Sequence, residues 1–366
     1  MTGSVQAIAT VASPRSQFRG LQALRFVAAG SVLLHHSLFY AHERLDAGVP
    51  VWGIGAVELF FAISGFVAVV ATRGFQARKD GWKYYLVRRG IRILPMYWIA
   101  TTVKLAVLLI APAAVLHAAL DWGMVARSYL LLPSVNVDGD IAPLLGVAWT
   151  LLYESFFAVV FALALIIRWR PVLVTGVILS LCALAALLRP AEFDPFLIYF
   201  DPRLIFYILG LVVGVYAVRR SPVQFAAGLA WVLVLHAILQ PTRLDSLIRI
   251  VVIAALLIFV MLAERQLERL PQAFVTLGNA SYSLYLFHPL IAPAVPAAMA
   301  AIGISVGWLA VVGSVGVSIV ASLLLYRWVE DPATRLLQRR LPFGGRPPRS
   351  SAPQQRVHAP QQGERS

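Results

Sequence analysis

Ten mostly apolar stretches recur along the chain, near 21–39, 54–71, 93–116, 143–167, 171–189, 203–218, 223–240, 246–263, 279–302 and 305–328, with short polar segments between them. Most reach the roughly 17–25 residues that a helix needs to cross a bilayer. The pattern predicts an all-α polytopic membrane protein with about ten transmembrane helices. Pro112 falls in the segment 104–120 and is expected to end or kink the third helix.

The polar segments alternate in character. Segment 72–92 carries Arg73, Arg78, Lys79, Lys83, Arg88, Arg89 and Arg92. Arg168 and Arg170, Arg219 and Arg220, and Arg265 and Arg269 fall on the same side, as do Arg335, Arg339 and Arg340 after the last stretch. The opposite segments carry Glu43, Asp46, Asp121, Asp138, Asp140, Glu192, Asp194 and Asp201. Cytoplasmic loops hold the excess of Lys and Arg, so both termini are expected in the cytoplasm. One missed helix would invert the bias downstream.

Three regions follow: a cytoplasmic segment 1–20, a transmembrane domain 21–332, and a basic tail 333–366. The tail is rich in Pro, Gln, Arg and Ser and is expected to be disordered. The start has no small-residue cleavage site after its apolar run and reads as a retained first helix. The basic, aromatic segment 75–92 is expected to lie along the inner membrane surface.

Composition narrows the classes. Hydrophobic residues make up 60% and charged residues 13% of the chain, against about 25% charged in ordinary soluble domains. The net charge of +14 sits between apolar runs, where topology determinants belong, so it does not point to nucleic acid. Cys182 is the one cysteine, which excludes a disulfide framework and a Cys-based metal site. Phosphate-binding loops, His-Glu-x-x-His and Gly-x-Ser-x-Gly patterns are absent.

Ionisable groups inside spanning helices are costly and mark function by default. Arg25 opens the first helix, and His36 follows eleven residues later, on the same face and roughly 16 Å along the axis. His35 is rotated off that face. Glu58 lies at the same expected depth on the second helix. A carboxylate beside an imidazole orients it, fixes its tautomer and raises its basicity. Glu154 follows Trp149 and Thr150 on the fourth helix. Tyr285 and His288 share a face of the ninth, before Pro289, which is expected to kink it and free the carbonyl near Tyr285. Each feature has a plainer reading as a snorkelling arginine, an interfacial acid or an interhelical hydrogen bond.

Taken in order, these segments resemble the acyltransferase-3 family of membrane O-acyltransferases, which includes polysaccharide O-acetyltransferases. Arg25 with ten residues before His36 resembles the family's Arg-x10-His signature, which leaves His35 outside the motif. Gly55-Ala-Val-Glu58-Leu-Phe-Phe-Ala-Ile-Ser64-Gly65-Phe66 is similar to its second-helix motif. Arg88-Arg89-Gly-Ile-Arg92-Ile-Leu-Pro95 resembles its arginine loop, and Trp149-Thr150-Leu-Leu-Tyr-Glu154 its Trp-Ser/Thr-Leu-x-x-Glu segment. Ser281 to Pro289 and Val329-Glu330-Asp331-Pro332 complete the series. The second and fourth helices read closest to exopolysaccharide acetyltransferases. Phe206 stands where relatives often carry a glutamate.

The resemblance implies transfer of an acyl group, acetyl first, from cytoplasmic acyl-CoA to a hydroxyl of a cell-surface or exported glycan, in a bacterial cytoplasmic membrane. It makes His36 and Glu58 catalytic, with His36 as base or acyl carrier. It points Arg25, Arg88, Arg89 and Arg92 at the CoA phosphates. It gives Trp149, Glu154, Tyr285 and His288 to the acceptor side or the oxyanion. Acyl-CoA (acetyl-CoA) is a co-substrate; no bound cofactor, metal or nucleic acid is implied. The oligomeric state stays open. A secondary transporter or flippase is the other reading, since buried Arg, His and Glu also build relays.

Overall fold

The computed structural model describes residues 19–45, 48–51, 56–112, 115 and 119–345. Among these residues the regular structure is helical, with one isolated bridge between Val135 and Ile141. The helices are α1 (Arg19–Leu45), α2 (Ala56–Thr72), α3 (Gly81–Ile110), α4 (Trp122–Tyr129), α5 (Trp149–Ile167), α6 (Pro171–Ala185), α7 (Leu204–Arg219) and α8 (Pro222–Leu239). They continue as α9 (Leu244–Leu262), α10 (Glu264–Leu267), α11 (Gln272–Asn279), α12 (Ser281–Ile291), α13 (Ala294–Ala301), α14 (Gly307–Leu325) and α15 (Asp331–Arg340).

Eight helical segments among the described residues are long and apolar enough to cross a membrane. Ala56–Thr72 is apolar but shorter. The 27-residue α1 is long enough, but Arg25, His35 and His36 dilute its apolar character. The chain is an all-α polytopic membrane protein, and α1 and α2 with the eight correspond to the ten stretches of the sequence. Exposed Val27, Ile110, Leu188 and Val312 cover its outside, the surface a bilayer solvates and water does not.

The interior is held by close backbone approach. A Cβ on Gly65 would sit 2.3 Å from the Tyr207 carbonyl oxygen, and one on Gly210 would sit 2.0 Å from that of Ala62. No side chain fits at either crossing, so α2 and α7 lie against each other as small-residue helices do in membranes. The α7 residues from Leu204 to Gly210 are all buried. Phe206 fills its place as part of that core.

Two segments follow a different course from the one expected. Segment 75–92 is not a separate surface element: residues 81–92 form the first turns of α3, which runs unbroken through Pro95. The ring costs one hydrogen bond there, and the surrounding helices retain the helical path. Pro289 sits within α12, which runs on to Ile291, and the helix breaks at Ala292 and Pro293, before α13. The last helix continues past residue 333: a π-turn over Tyr326–Glu330 leads into α15, which ends at Arg340. Residues 1–18 and 346–366, to which the rest of the N-terminal and tail expectations apply, lie outside the described residues.

Candidate active site

α1 carries both ends of the candidate site on one continuous helix. Eleven residues separate Arg25 from His36, which is about 16 Å of rise and nearly three whole turns. The surrounding helices supply a different partner set at each end.

At the His36 end, the imidazole Nδ1 lies 3.0 Å from the Val32 carbonyl oxygen and 3.2 Å from Nε2 of His288. His288 is fully buried. Its own Nδ1 lies 3.1 Å from the Leu284 carbonyl oxygen. The carbonyl of Tyr285, which Pro289 leaves without a helical donor, also acts on this ring. A carbonyl only accepts, so Nδ1 of His288 carries its proton and Nε2 is left as an acceptor. Nδ1–H of His36 then donates to Val32 and His288, and the lone pair of His36 falls on Nε2. That ring lines a cavity of about 1000 Å³.

Tyr40, Trp149, Tyr153, Asp201 and Arg203 line the same cavity. The Arg203 guanidinium lies 5.1 Å from the centre of the Trp149 ring and 3.5 Å from Asp201. An aromatic face, a buried carboxylate and a cation together suit a polyhydroxylated ring. Tyr285 and His288 do not line this cavity. The Tyr285 hydroxyl donates to the Val147 carbonyl at 2.8 Å and lies 2.7 Å from Thr150 Oγ1, tying α12 to the start of α5.

Glu58 does not meet His36. It pairs with Arg249 of α9 at 3.5 Å, and Arg249 also holds Asp245. The reason is helical register. Glu58, Ala62 and Gly65 share one stripe of α2, and Ala62 and Gly65 are the residues that touch α7. The close crossing therefore turns Glu58 toward α7 and α9. The expected carboxylate–imidazole pair is replaced by a pair of imidazoles.

Glu154 also departs from expectation. It lies five residues past Trp149 and points away from the cavity, into an ion pair with Arg89. Ser64 Oγ donates to it at 2.7 Å and the Tyr207 hydroxyl at 3.0 Å. Arg89 is held further by the Tyr85 hydroxyl at 3.0 Å and packs over the Phe157 ring. Arg89 and Glu154 thus satisfy each other between α3, α5, α2 and α7, rather than serving an acyl donor and an acceptor separately.

Arg25 is buried, with its guanidinium 3.1 Å from Gln22 Oε1. The charges that act on it are those of Arg92, Glu330 and Glu154. Arg92 is exposed and Arg88 half-buried on α3. Glu330 appeared in the sequence only as part of a motif. It is buried in the π-turn and accepts a 2.5 Å hydrogen bond from Ser283. π-Turns gather at functional sites, and this one gives two arginines a shared counter-charge. The signal in the sequence was an acid closing the last apolar stretch.

The comparisons with known proteins identify the family. The family model described as "Acyltransferase domain", of acyltransferase family 3, matches residues 18–327. The "Exopolysaccharide production protein ExoZ" of Rhizobium meliloti (strain 1021) is 30% identical over 282 residues, covering 73% of this chain and 85% of that protein. No solved structure matches. A match over all but the ends, on a helical bundle that joins the two signature residues through α1, makes the chain a multi-pass membrane protein of the acyltransferase-3 family.

Proposed function

We propose that this acyltransferase moves an acetyl group from acyl-CoA, bound at the arginine end of α1, to a hydroxyl of an exported polysaccharide or its precursor held in the cavity at the other end. The observation that carries the reading is the 3.2 Å contact of His288 with His36, whose ring lines that cavity. ExoZ, named for exopolysaccharide production, supports a glycan acceptor. The loop charges support a donor site facing the cytoplasm of a bacterial inner membrane.

A sugar hydroxyl is a weak nucleophile until its proton leaves during attack. In this mechanism Nε2 of His36 takes that proton while the oxygen bonds to the thioester carbonyl carbon. His288 accepts from Nδ1–H of the imidazolium that forms and spreads its charge. The tetrahedral intermediate then collapses, the C–S bond breaks, and the CoA thiolate recovers the proton from His36. Trp149 supplies a face for the sugar ring, with Asp201 and Arg203 beside it. Arg25 and Arg92 receive the donor phosphates, with Glu330 holding the two cations together in its absence. The pantetheine arm spans the distance between the ends.

The test is acyl release by the purified protein with labelled acetyl-CoA and a panel of glycans. Product that depends on His36, and is lost in His36→Ala, supports the reading. Equal product in His36→Ala ends it. Uptake of glycan into vesicles with no acylated product would establish a transporter instead.

A further inference from the structure

On the side of the bundle formed by α6, α7 and α8 lies a second groove, of about 1090 Å³, that shares no lining residue with the His36 cavity. Its floor is one stripe of α7, through Ile208, Leu211, Val212 and Val215. Its walls are α6, through Gly176 and Ser180, and α8, through Gly228 and Trp231. Apart from Ser180, Gln224 and Gln76, the lining between its ends is apolar.

One end is different. Arg73 from the end of α2, Arg168 and Arg170 from the α5–α6 turn, and Arg219 from the end of α7 all line it. All four are exposed, and no acidic residue lines the groove. Exposed Trp169 stands at the same end, under the Arg170 guanidinium at 5.6 Å. A Trp beside arginines marks the level of a lipid headgroup.

The dimensions also match a lipid. The indole N–H of Trp231 donates to Ser180 Oγ at 3.0 Å, joining the two walls. Ser180 is nine residues beyond Pro171, or about 14 Å of helix. The hydrocarbon of one leaflet is about 15 Å thick, half of a typical core. The walls therefore close at about the depth where a single leaflet ends, and four cations sit where its phosphates lie.

We propose that this groove is a binding site for an anionic phospholipid of the bilayer. One chain lies between α6 and α8 along α7, and the phosphate sits among Arg73, Arg168, Arg170 and Arg219. Basic pockets between membrane helices favour anionic headgroups through the same electrostatics. The phosphate would offset four like charges gathered at one point, where the protein itself supplies no counter-charge among the lining residues.

The experiment uses the full chain purified in detergent, with phosphatidylglycerol and phosphatidylcholine of identical chains. Retained lipid is counted by native mass spectrometry, and unfolding temperature is followed in parallel. Phosphatidylglycerol should be retained and should raise the unfolding temperature; phosphatidylcholine should do neither. Replacing Arg73, Arg170 and Arg219 with Ala should weaken retention by about fivefold for each arginine removed. Replacing Arg339 and Arg340 of α15, which lie on another element, should leave it unchanged. Gly176→Leu keeps every arginine and fills the groove, where a Cβ meets open space; it should displace the chain and lower retention. Equal retention of the two lipids would overturn the proposal. So would equal loss in the α15 control, unchanged retention in Gly176→Leu, or full protection by inorganic phosphate alone.

Discussion

Nε2 of His288 lies 3.2 Å from Nδ1 of His36, although the two residues are 252 positions apart in the chain. Neither ring borrows a carboxylate. The orientation of the pair descends instead from backbone carbonyls at Val32 and Leu284, which cannot lose their role with pH. Separate tests distinguish this pair from the carboxylate-assisted histidine that the motifs alone suggest.

His36→Ala is expected to lower kcat by about a thousandfold, the usual range for loss of a general base. His288→Ala should lower it by about tenfold or more, because the base remains but its Nδ1–H loses a partner. Glu58→Gln should stay within about fivefold of the parent, since its bond to Arg249 is long and partly solvated. Single-turnover acyl transfer separates these outcomes; a Glu58→Gln loss as large as that of His36→Ala would restore the carboxylate to the mechanism. His35→Ala should retain most of the rate.

Arg89 and Glu154 are expected to behave as one unit. Removing either leaves an uncompensated charge among aromatic side chains, at a cost of about 3–5 kcal/mol. Arg89→Met and Glu154→Leu should each lower the unfolding temperature in detergent, and the double variant should recover part of the loss. Additive losses in that double-mutant cycle would show that the two groups are not coupled.

The two ends of α1 should separate kinetically. Arg92→Ala should raise KM for acetyl-CoA and leave KM for the glycan unchanged, because Arg92 lies at the proposed donor end. Trp149→Ala should do the reverse. About tenfold in each case corresponds to one well-formed contact. Identical shifts in both constants for either variant would place donor and acceptor in one chamber.

Gly65→Ala and Gly210→Ala should be poorly folded. The new methyl would meet a carbonyl oxygen at 2.3 Å or 2.0 Å, and backbone cannot swing aside as a side chain can. Gly30→Ala, where a Cβ meets open space, is the control. Yield after size-exclusion chromatography and thermal unfolding both report the difference.

The ten apolar stretches gave the bundle, and eleven residues of spacing gave the shared face of Arg25 and His36. Apolar length and loop charge determine depth, which is a one-dimensional property. They do not determine which way a helix is rotated or what stands beside it. That is why depth alone puts Glu58 beside His36, where the structure pairs it with Arg249, and leaves the Arg89 partner of Glu154 unseen. Part of the missing rotation was in the sequence: Ala62 and Gly65 recur with Glu58 at helical spacing, and a small-residue stripe marks a close neighbour. The Arg89–Glu154 and Ser283–Glu330 contacts join residues 65 and 47 positions apart, and no local pattern announces them. The basic segment 75–92 is hard to read for another reason. Its arginines look like a surface strip until buried acids are found opposite some of them.

The unbroken course of α1 makes it a ruler. In the proposed mechanism one rigid rod fixes both the gap and the angle between the anion seat at Arg25 and the base at His36. A single inserted residue would turn one relative to the other by about 100° while lengthening the gap by only about 1.5 Å. On that mechanism the rod would select its donor by reach. An acyl group on a long flexible arm could anchor at one mark and react at the other, whereas acetyl phosphate, anchored by its own phosphate, would fall short of the base.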